Sequence, residues 1–200
     1  MREARLAQGW HCAKSTEVSK LKQTPAEALC LACGLCCNGV IFADVKLRPG
    51  DNVPRLRGLG LQMNEVHKGG NTSGSVLKFP QPCRAHDGCR CGIYAERPQY
   101  CREFECVLLK SVAAGRTTLD EALKIIGRAK ERAEAVRQLL TELGDQDEEL
   151  ALGARFRRMR RRLEQGHFDE TTADLYGSLT LAVHELNLII SQAFYPGTGD

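Results

Sequence analysis

From Leu119 onward apolar residues recur every three or four positions: Leu119, Leu123, Ile126, Ala129, Ala133, Val136, Leu140 and Leu143. That period lays a single stripe along one helix. Thr118 and Glu121 form a capping-box pair ahead of it, and Gly144 follows as a stop. A second stripe, Leu152, Phe156, Met159 and Leu163, runs out before Gly166. A third starts from an Asp169 cap and carries Leu175, Leu179, Ala182, Leu186, Ile189 and Ala193 as far as Pro196-Gly197. Short connections between three amphipathic helices predict a small antiparallel bundle.

The first half is patterned differently. Thr24-Pro25-Ala26-Glu27 combines a cap, a proline at the first helical position and a capping-box glutamate, so a helix starts there. Val40 to Leu47 favours a strand, with Asp44 and Lys46 alternating against Val45 and Leu47, and Pro49-Gly50-Asp51 turns the chain. A short helix with Pro54 in its first turn is expected over Asp51 to Leu61, a flexible loop over Gly69 to Gly74, and a second strand over Ser75 to Phe79 that can pair with the first. Pro98 opens a helix toward Lys110 that ends near Gly115. Residues 1–23, with Trp10, His11 and Cys12, read as a polar segment. The fold class is therefore α+β and mostly helical. A small cysteine-rich, metal-centred half (24–110) with a short β hairpin or strand pair precedes a three-helix antiparallel bundle (111–200).

Composition changes this picture at one point. The chain has 42% hydrophobic and 26% charged residues, as a globular protein does, but ten cysteines, nine of them between Cys30 and Cys106. No run approaches the ~18 apolar residues of a membrane span, and the amino terminus lacks a signal-like apolar region, so a cytoplasmic chain without a membrane partner is expected. Thiols crowded together in a reducing compartment bind metal or do redox chemistry more often than they form disulfides. Residues 1–110 hold 16 Lys/Arg against 10 Asp/Glu, an excess that offsets thiolate charge without any need for nucleic acid.

The cysteines fall into Cys30-x2-Cys33-x2-Cys36-Cys37 and a later set, Cys83, Cys89, Cys91, Cys101 and Cys106. At 100° per residue, Cys30, Cys33 and Cys37 share one face of a continuing helix and Cys36 does not. Gly34 favours a break there instead, letting backbone amides wrap a centre. Cys101 and Cys106 stand about 140° apart on one helix, so they serve different centres or straddle an irregularity. Two sites, or one site with spare thiols, follow.

The same residues carry a resemblance. Cys30-x2-Cys33-x2-Cys36-Cys37, then Pro82-Cys83, then Cys91-Gly92-Ile93-Tyr94-x2-Arg97-Pro98-x2-Cys101-Arg102-x-Phe104-x-Cys106 resembles the CxxCxxCC family of zinc- or iron-chelating proteins, the YkgJ-type cysteine cluster proteins. It covers residues 30–109 and leaves the helical part unmatched. The resemblance implies Cys30, Cys33, Cys36, Cys37, Cys83, Cys91, Cys101 and Cys106 as metal ligands, with Cys89 outside the pattern. The signature also occurs in flagellin lysine N-methylases, which implies a metal-dependent methyl-transferring enzyme as an alternative.

Around this core, Tyr94, Arg97 and Arg102 read as scaffolding that neutralises thiolate charge. His86 could replace a cysteine ligand; an exposed loop histidine is the plainer reading. Arg155 to Arg162 holds six arginines in eight positions and reads as a solvated helix face opposite Asp145–Glu149 or Glu164, with nucleic-acid binding ranked below. Nucleotide-binding glycine motifs, H-E-x-x-H and C-x3-C-x2-C are all missing, which weakens an enzyme reading. The function expected is a metal-binding protein with a structural, redox or sensing role. The cofactor is a 4Fe-4S cluster or zinc, the x2, x2 spacing leaning slightly to the iron-sulfur cubane. A zinc-stapled nucleic-acid module is the second alternative, and the bundle is the surface left for a protein partner.

Overall fold

The computed structural model describes residues 24–67, 75–88, 90–166 and 169–195. The expectations for residues 1–23, the Gly69–Gly74 loop, Cys89 and Pro196-Gly197 lie outside the described residues.

Helix α1 (Pro25–Cys33) begins as its sequence dictates: Thr24 Oγ1 accepts from the Glu27 N–H at 3.2 Å, and the Glu27 carboxylate accepts from the Thr24 N–H at 2.9 Å. Gly34, at φ 68°, ends it in the left-handed region that costs glycine little. Strand β1 (Asp44–Lys46) follows, then α2 (Val53–Gly58), β2 (Asn64–His67) and β3 (Ser75–Pro80). The sheet is antiparallel with β3 central, pairing Val45 with Phe79 on one side and Val66 with Val76 on the other. The expected pairing of the two predicted strands is present. β2 is additional: its residues carry no strand pattern of their own and gain one as the second edge of β3.

The helix expected from Pro98 to Gly115 is instead two, α3 (Gln99–Glu103) and α4 (Val107–Ala113). Phe104 is extended at the break, where its ring meets Phe42 edge-on at 4.8 Å, and Cys106 caps α4 by accepting the Leu109 N–H on sulfur at 3.3 Å.

Helices α5 (Leu119–Glu142), α6 (Leu152–Glu164) and α7 (Glu170–Ala193) occupy the predicted stretches, with the Thr118/Glu121 capping box and the Asp169 cap formed. α5 and α7 run antiparallel: Ile126 and Phe194 wall one cavity, and further along Arg132 pairs with Glu185 at 3.0 Å. Ala122, Ala129 and Ala133 are fully buried along α5, and small side chains there let α7 approach closely. α6 is a shorter element between them.

α6 holds its loop by charge. Arg155, 3% exposed, donates from Nε to Asp145 Oδ1 at 3.1 Å and from Nη2 to the Asp145 carbonyl at 2.7 Å. Arg158 reaches Asp145 at 2.7 Å and Asp147 at 2.8 Å, and Arg162 donates to the Leu143 carbonyl. Burial pushes the Asp145 carboxyl up, but hydrogen bonds from Arg158, the Asp147 N–H and Arg155 outweigh it and hold the group below its ordinary value. The arginine face does meet the acidic run, as its sequence implies. Arg155, however, is buried rather than solvated.

One core joins the cysteine-bearing segment to these helices: Leu29, Leu35 and Ile41 sit in it with Leu108, Ile126, Val136, Leu140, Leu179 and Phe194. A second, small core of Val45, Leu56, Leu61 and Phe79 lies under the sheet. Among the described residues no helix is long and apolar enough to cross a membrane.

Candidate metal centre

The left-handed Gly34 reverses the chain after α1, so Cys30 and Cys33 lie on the last turns of the helix and Cys36 and Cys37 on a tight turn beneath it. The N–H groups of Cys37 and Asn38 both donate to the Gly34 carbonyl at 2.9 Å. Three contacts from the helical half grip this segment. Lys130 Nζ on α5 donates to the Ala32 carbonyl at 2.8 Å, the Leu152 N–H at the start of α6 to the Gly39 carbonyl at 2.9 Å, and the Tyr195 hydroxyl to the Ile41 carbonyl at 3.0 Å.

The later cysteines come in from the other side. The Cys83 N–H donates to the Cys37 carbonyl at 2.7 Å, which docks the chain leaving β3 directly on the turn. The loop from Cys83 to Ile93 closes on itself through a bridge between His86 and Cys91 and a bond from the Gly92 N–H to the Ala85 carbonyl at 2.7 Å. Cys101 projects from α3, and the break after it turns the chain so that Cys106 stands at the head of α4. Of the two alternatives for Cys101 and Cys106, the irregularity between them is present.

All eight cysteines implied by the resemblance line two adjoining cavities. One, of about 70 Å³, is walled by Cys30, Cys36, Cys37, Cys83, Cys91 and Cys101 among aromatic side chains. The other, of about 60 Å³, is walled by Cys30, Cys33, Cys36, Cys37 and Cys106 with Leu108, Ile126 and Phe194. Electrostatic neighbours join the two groups. Cys33 and Cys36 feel Cys30 and Cys106, and Cys83 and Cys101 feel Cys91, but Cys36 also feels Cys101, Cys37 feels Cys36 as well as Cys91 and Cys83, and Cys30 feels Cys91. The eight are free thiols. Among the described residues, no three His, Cys, Asp or Glu side chains are already arranged to hold a single ion.

Burial pushes the Cys33 and Cys101 thiols up to about 12 and Cys36 well above its ordinary value. Cys37 is raised by its hydrogen bond to Cys91 and by burial, while Cys91, accepting that bond, is lowered to about 6 despite its own burial. Burial thus disfavours the thiolate at most of these cysteines, while the hydrogen bond from Cys37 favours it at Cys91. Arg97 is the nearest counter-charge: its guanidinium lies 3.6 Å over the Tyr94 ring, Nε donates to the Tyr94 carbonyl at 2.9 Å, and Nη1 reaches Cys30 Sγ at 3.9 Å. Arg102 fixes the Arg97 carbonyl at 2.6 Å. These contacts match the scaffolding role read for Tyr94, Arg97 and Arg102.

His86 departs from the exposed loop histidine of the plainer reading. Its Nε2 is buried without a hydrogen-bond partner, and the side chain stands where the 70 Å³ cavity meets a larger polar cleft of about 510 Å³ shared with Cys83, Arg137, Glu148 and Arg155. Only its place between Cys83 and Cys89 signalled this in the sequence, because Gly34, beside which Nε2 lies, is distant along the chain.

Comparison with known proteins agrees with the geometry. Residues 29–124 match the family model CxxCxxCC, described as "Putative zinc- or iron-chelating domain". No curated protein and no solved structure matches the chain.

Proposed function

Since residues 29–124 form a domain of the CxxCxxCC family, we propose that the chain holds iron as iron-sulfur centres, ligated by Cys30, Cys33, Cys36 and Cys106 and by Cys37, Cys83, Cys91 and Cys101. The observation that carries this is the arrangement of the eight thiols around two adjoining cavities. Burial disfavours the free thiolate at most of these cysteines, so a cation beside them is what would let them ionise, and sulfur donors suit iron-sulfur clusters and zinc above other metals. A mononuclear zinc site draws four thiolates to within ~2.3 Å of one ion. The Cys30-x2-Cys33-x2-Cys36 spacing favours a cluster. The Gly34 turn favours it too, since backbone amides near sulfur tune such centres.

The role is electron transfer or sensing. Cys30 is exposed at the surface end of the group, and Arg97 beside it is placed to stabilise the more negative, reduced state. Protein purified without oxygen is expected to contain iron and acid-labile sulfide and to absorb near ~400 nm. Stoichiometric zinc and no colour would replace iron by zinc in this proposal. Neither metal above a few hundredths of an equivalent would end it.

A further inference from the structure

We infer that His86 is a nitrogen ligand to the metal in the cavity lined by Cys37, Cys83, Cys91 and Cys101, where it takes the place of one of those four thiolates; the inference rests on the metal-holding reading above. Two buried side-chain polar atoms lack a hydrogen-bond partner among the described residues, His86 Nε2 and Gln81 Oε1. Both side chains line the same cavity, the one walled by six cysteines. Buried polar atoms are almost always satisfied, so two orphans on side chains that line one cavity point to a polar or ionic occupant there. Gln81 is 3% exposed and so has no recourse to solvent.

The imidazole is placed deliberately. A Cβ at Gly34 would lie 2.7 Å from Nε2, so the ring would have to shift to admit one, and Gly34 already needs its positive φ. Glycine thus turns the chain and also leaves room for the ring as it stands. The loop beneath is pinned: the His86 N–H donates to the Cys83 carbonyl at 2.9 Å, and His86 bridges to Cys91. The ring is therefore carried between two cysteines of the group it would join. A neutral imidazole among thiolates also supplies a donor without adding to the negative charge, and mixed thiolate-imidazole sets suit both zinc and iron-sulfur centres. With His86 as ligand, the edge of the centre at Cys83 and His86 is also the edge that borders the 510 Å³ cleft.

The test uses the full chain, freed of metal and loaded with Co²⁺ without oxygen. Wild type is expected to show sulfur-to-cobalt charge-transfer absorption. Pulsed electron paramagnetic resonance should show a strongly coupled nitrogen that changes isotope on ¹⁵N-histidine labelling. In His86→Ala the nitrogen coupling should vanish, the sulfur absorption should remain, and Co²⁺ should bind at least about tenfold more weakly. His86→Gln, which fills the space, should lose the coupling in the same way should the alanine variant misfold. Sulfur absorption in wild type without nitrogen coupling, or coupling that survives either substitution, overturns the inference and leaves the metal reading standing. Absence of sulfur-to-cobalt absorption in wild type overturns both.

Discussion

The helical half and the cysteine half solve the same problem by different means. α5 and α7 bury a continuous stripe, Ile126, Ala129, Ala133, Val136 and Leu140 against Leu179, Leu186 and Ile190. Each large side chain in such a stripe contributes about 1.5–3 kcal/mol by leaving water. Among the described residues from β1 to α3 the buried apolar cluster is Val45, Leu56, Leu61 and Phe79, and around it lie thiols and two cavities. The first is an apolar core that needs nothing added. The second is organised around space, and filling that space with metal is what would complete it. The two are not independent, because Leu29, Leu35 and Ile41 belong to the helical core while the cysteines between them face the cavities.

The largest expected effect breaks this comparison most directly. Metal binding in a small cysteine site is folding energy, on the order of 10 kcal/mol for structural zinc. After anaerobic chelation, hydrogen exchange and limited proteolysis should show the stretch 75–106 opening while α5 and α7 stay protected. α1 and the turn to Ile41 should lie between, loosened at the cysteines yet held by Lys130, Leu152 and Tyr195. Uniform protection after verified metal loss would show that the cysteine half carries its own stability.

A second experiment probes the charged part of the helical half. Asp145→Asn leaves Arg155 buried without its carboxylate partner, and removal of one member of a buried pair costs about 3–5 kcal/mol. Urea unfolding should show that loss at neutral pH. The pH dependence has a definite sign. Asp145 is held below its ordinary value in the folded state, so its contribution is fully present above the unfolded carboxylate value of ~3.9 and is lost as pH falls through the lower, folded one. Wild type should therefore lose stability in acid, and the asparagine variant should lose less over the same range. Equal acid sensitivity in the two would mean that Asp145 is not the group responsible.

What was legible in the sequence divides along the same line. Helices α5, α6 and α7, both capping boxes and the Gly34 break follow from local rules: period 3.6, a cap with glutamate three residues on, a glycine where the chain must reverse. The eight cysteines were legible as a group because their spacing resembles one family's. Four features were not, and each depends on a contact distant along the chain. β2 exists because β3 lies beside it; alone, Asn64–His67 carries no strand signal. The break between α3 and α4 falls where Phe104 leaves the helix to meet Phe42, within a run of residues that could all be helical. Arg155 looked like one of six exposed arginines, and only the approach of the 145–147 loop makes it part of the interior. His86 is the same case, its buried Nε2 lying beside Gly34, fifty-two positions earlier.

A third prediction sharpens the packing side. Ala129 and Ala133 are fully buried where α5 meets α7, so Ala133→Leu should overpack that seam and cost about 1–3 kcal/mol. Thermal unfolding of the metal-loaded protein would measure it, with metal content unchanged, since Ala133 lines neither cysteine cavity. Loss of metal in this variant would mean that the helical seam sets the cysteine geometry more tightly than the three gripping contacts imply.

The smallest effect concerns the arginines that α6 has left over. Arg155, Arg158 and Arg162 are committed to Asp145, Asp147 and the Leu143 carbonyl, and Arg160 pairs with Glu164 at 3.4 Å. Arg157 and Arg161 remain exposed, with no ion pair among the described residues. Replacing these two with glutamine, a helix former nearly as good as arginine, should change stability by no more than about 0.5 kcal/mol and leave metal content as it was. The same variant addresses nucleic acid. Two free arginines neutralise few phosphates, so wild-type binding to RNA or DNA should be weak and fall by roughly one log unit per log of salt for each phosphate contacted, vanishing near physiological salt. Binding that resists salt and depends on base sequence, yet is abolished by Arg157→Gln with Arg161→Gln, would show that this face recognises a polyanion and would move the nucleic-acid reading ahead of the metal-only one.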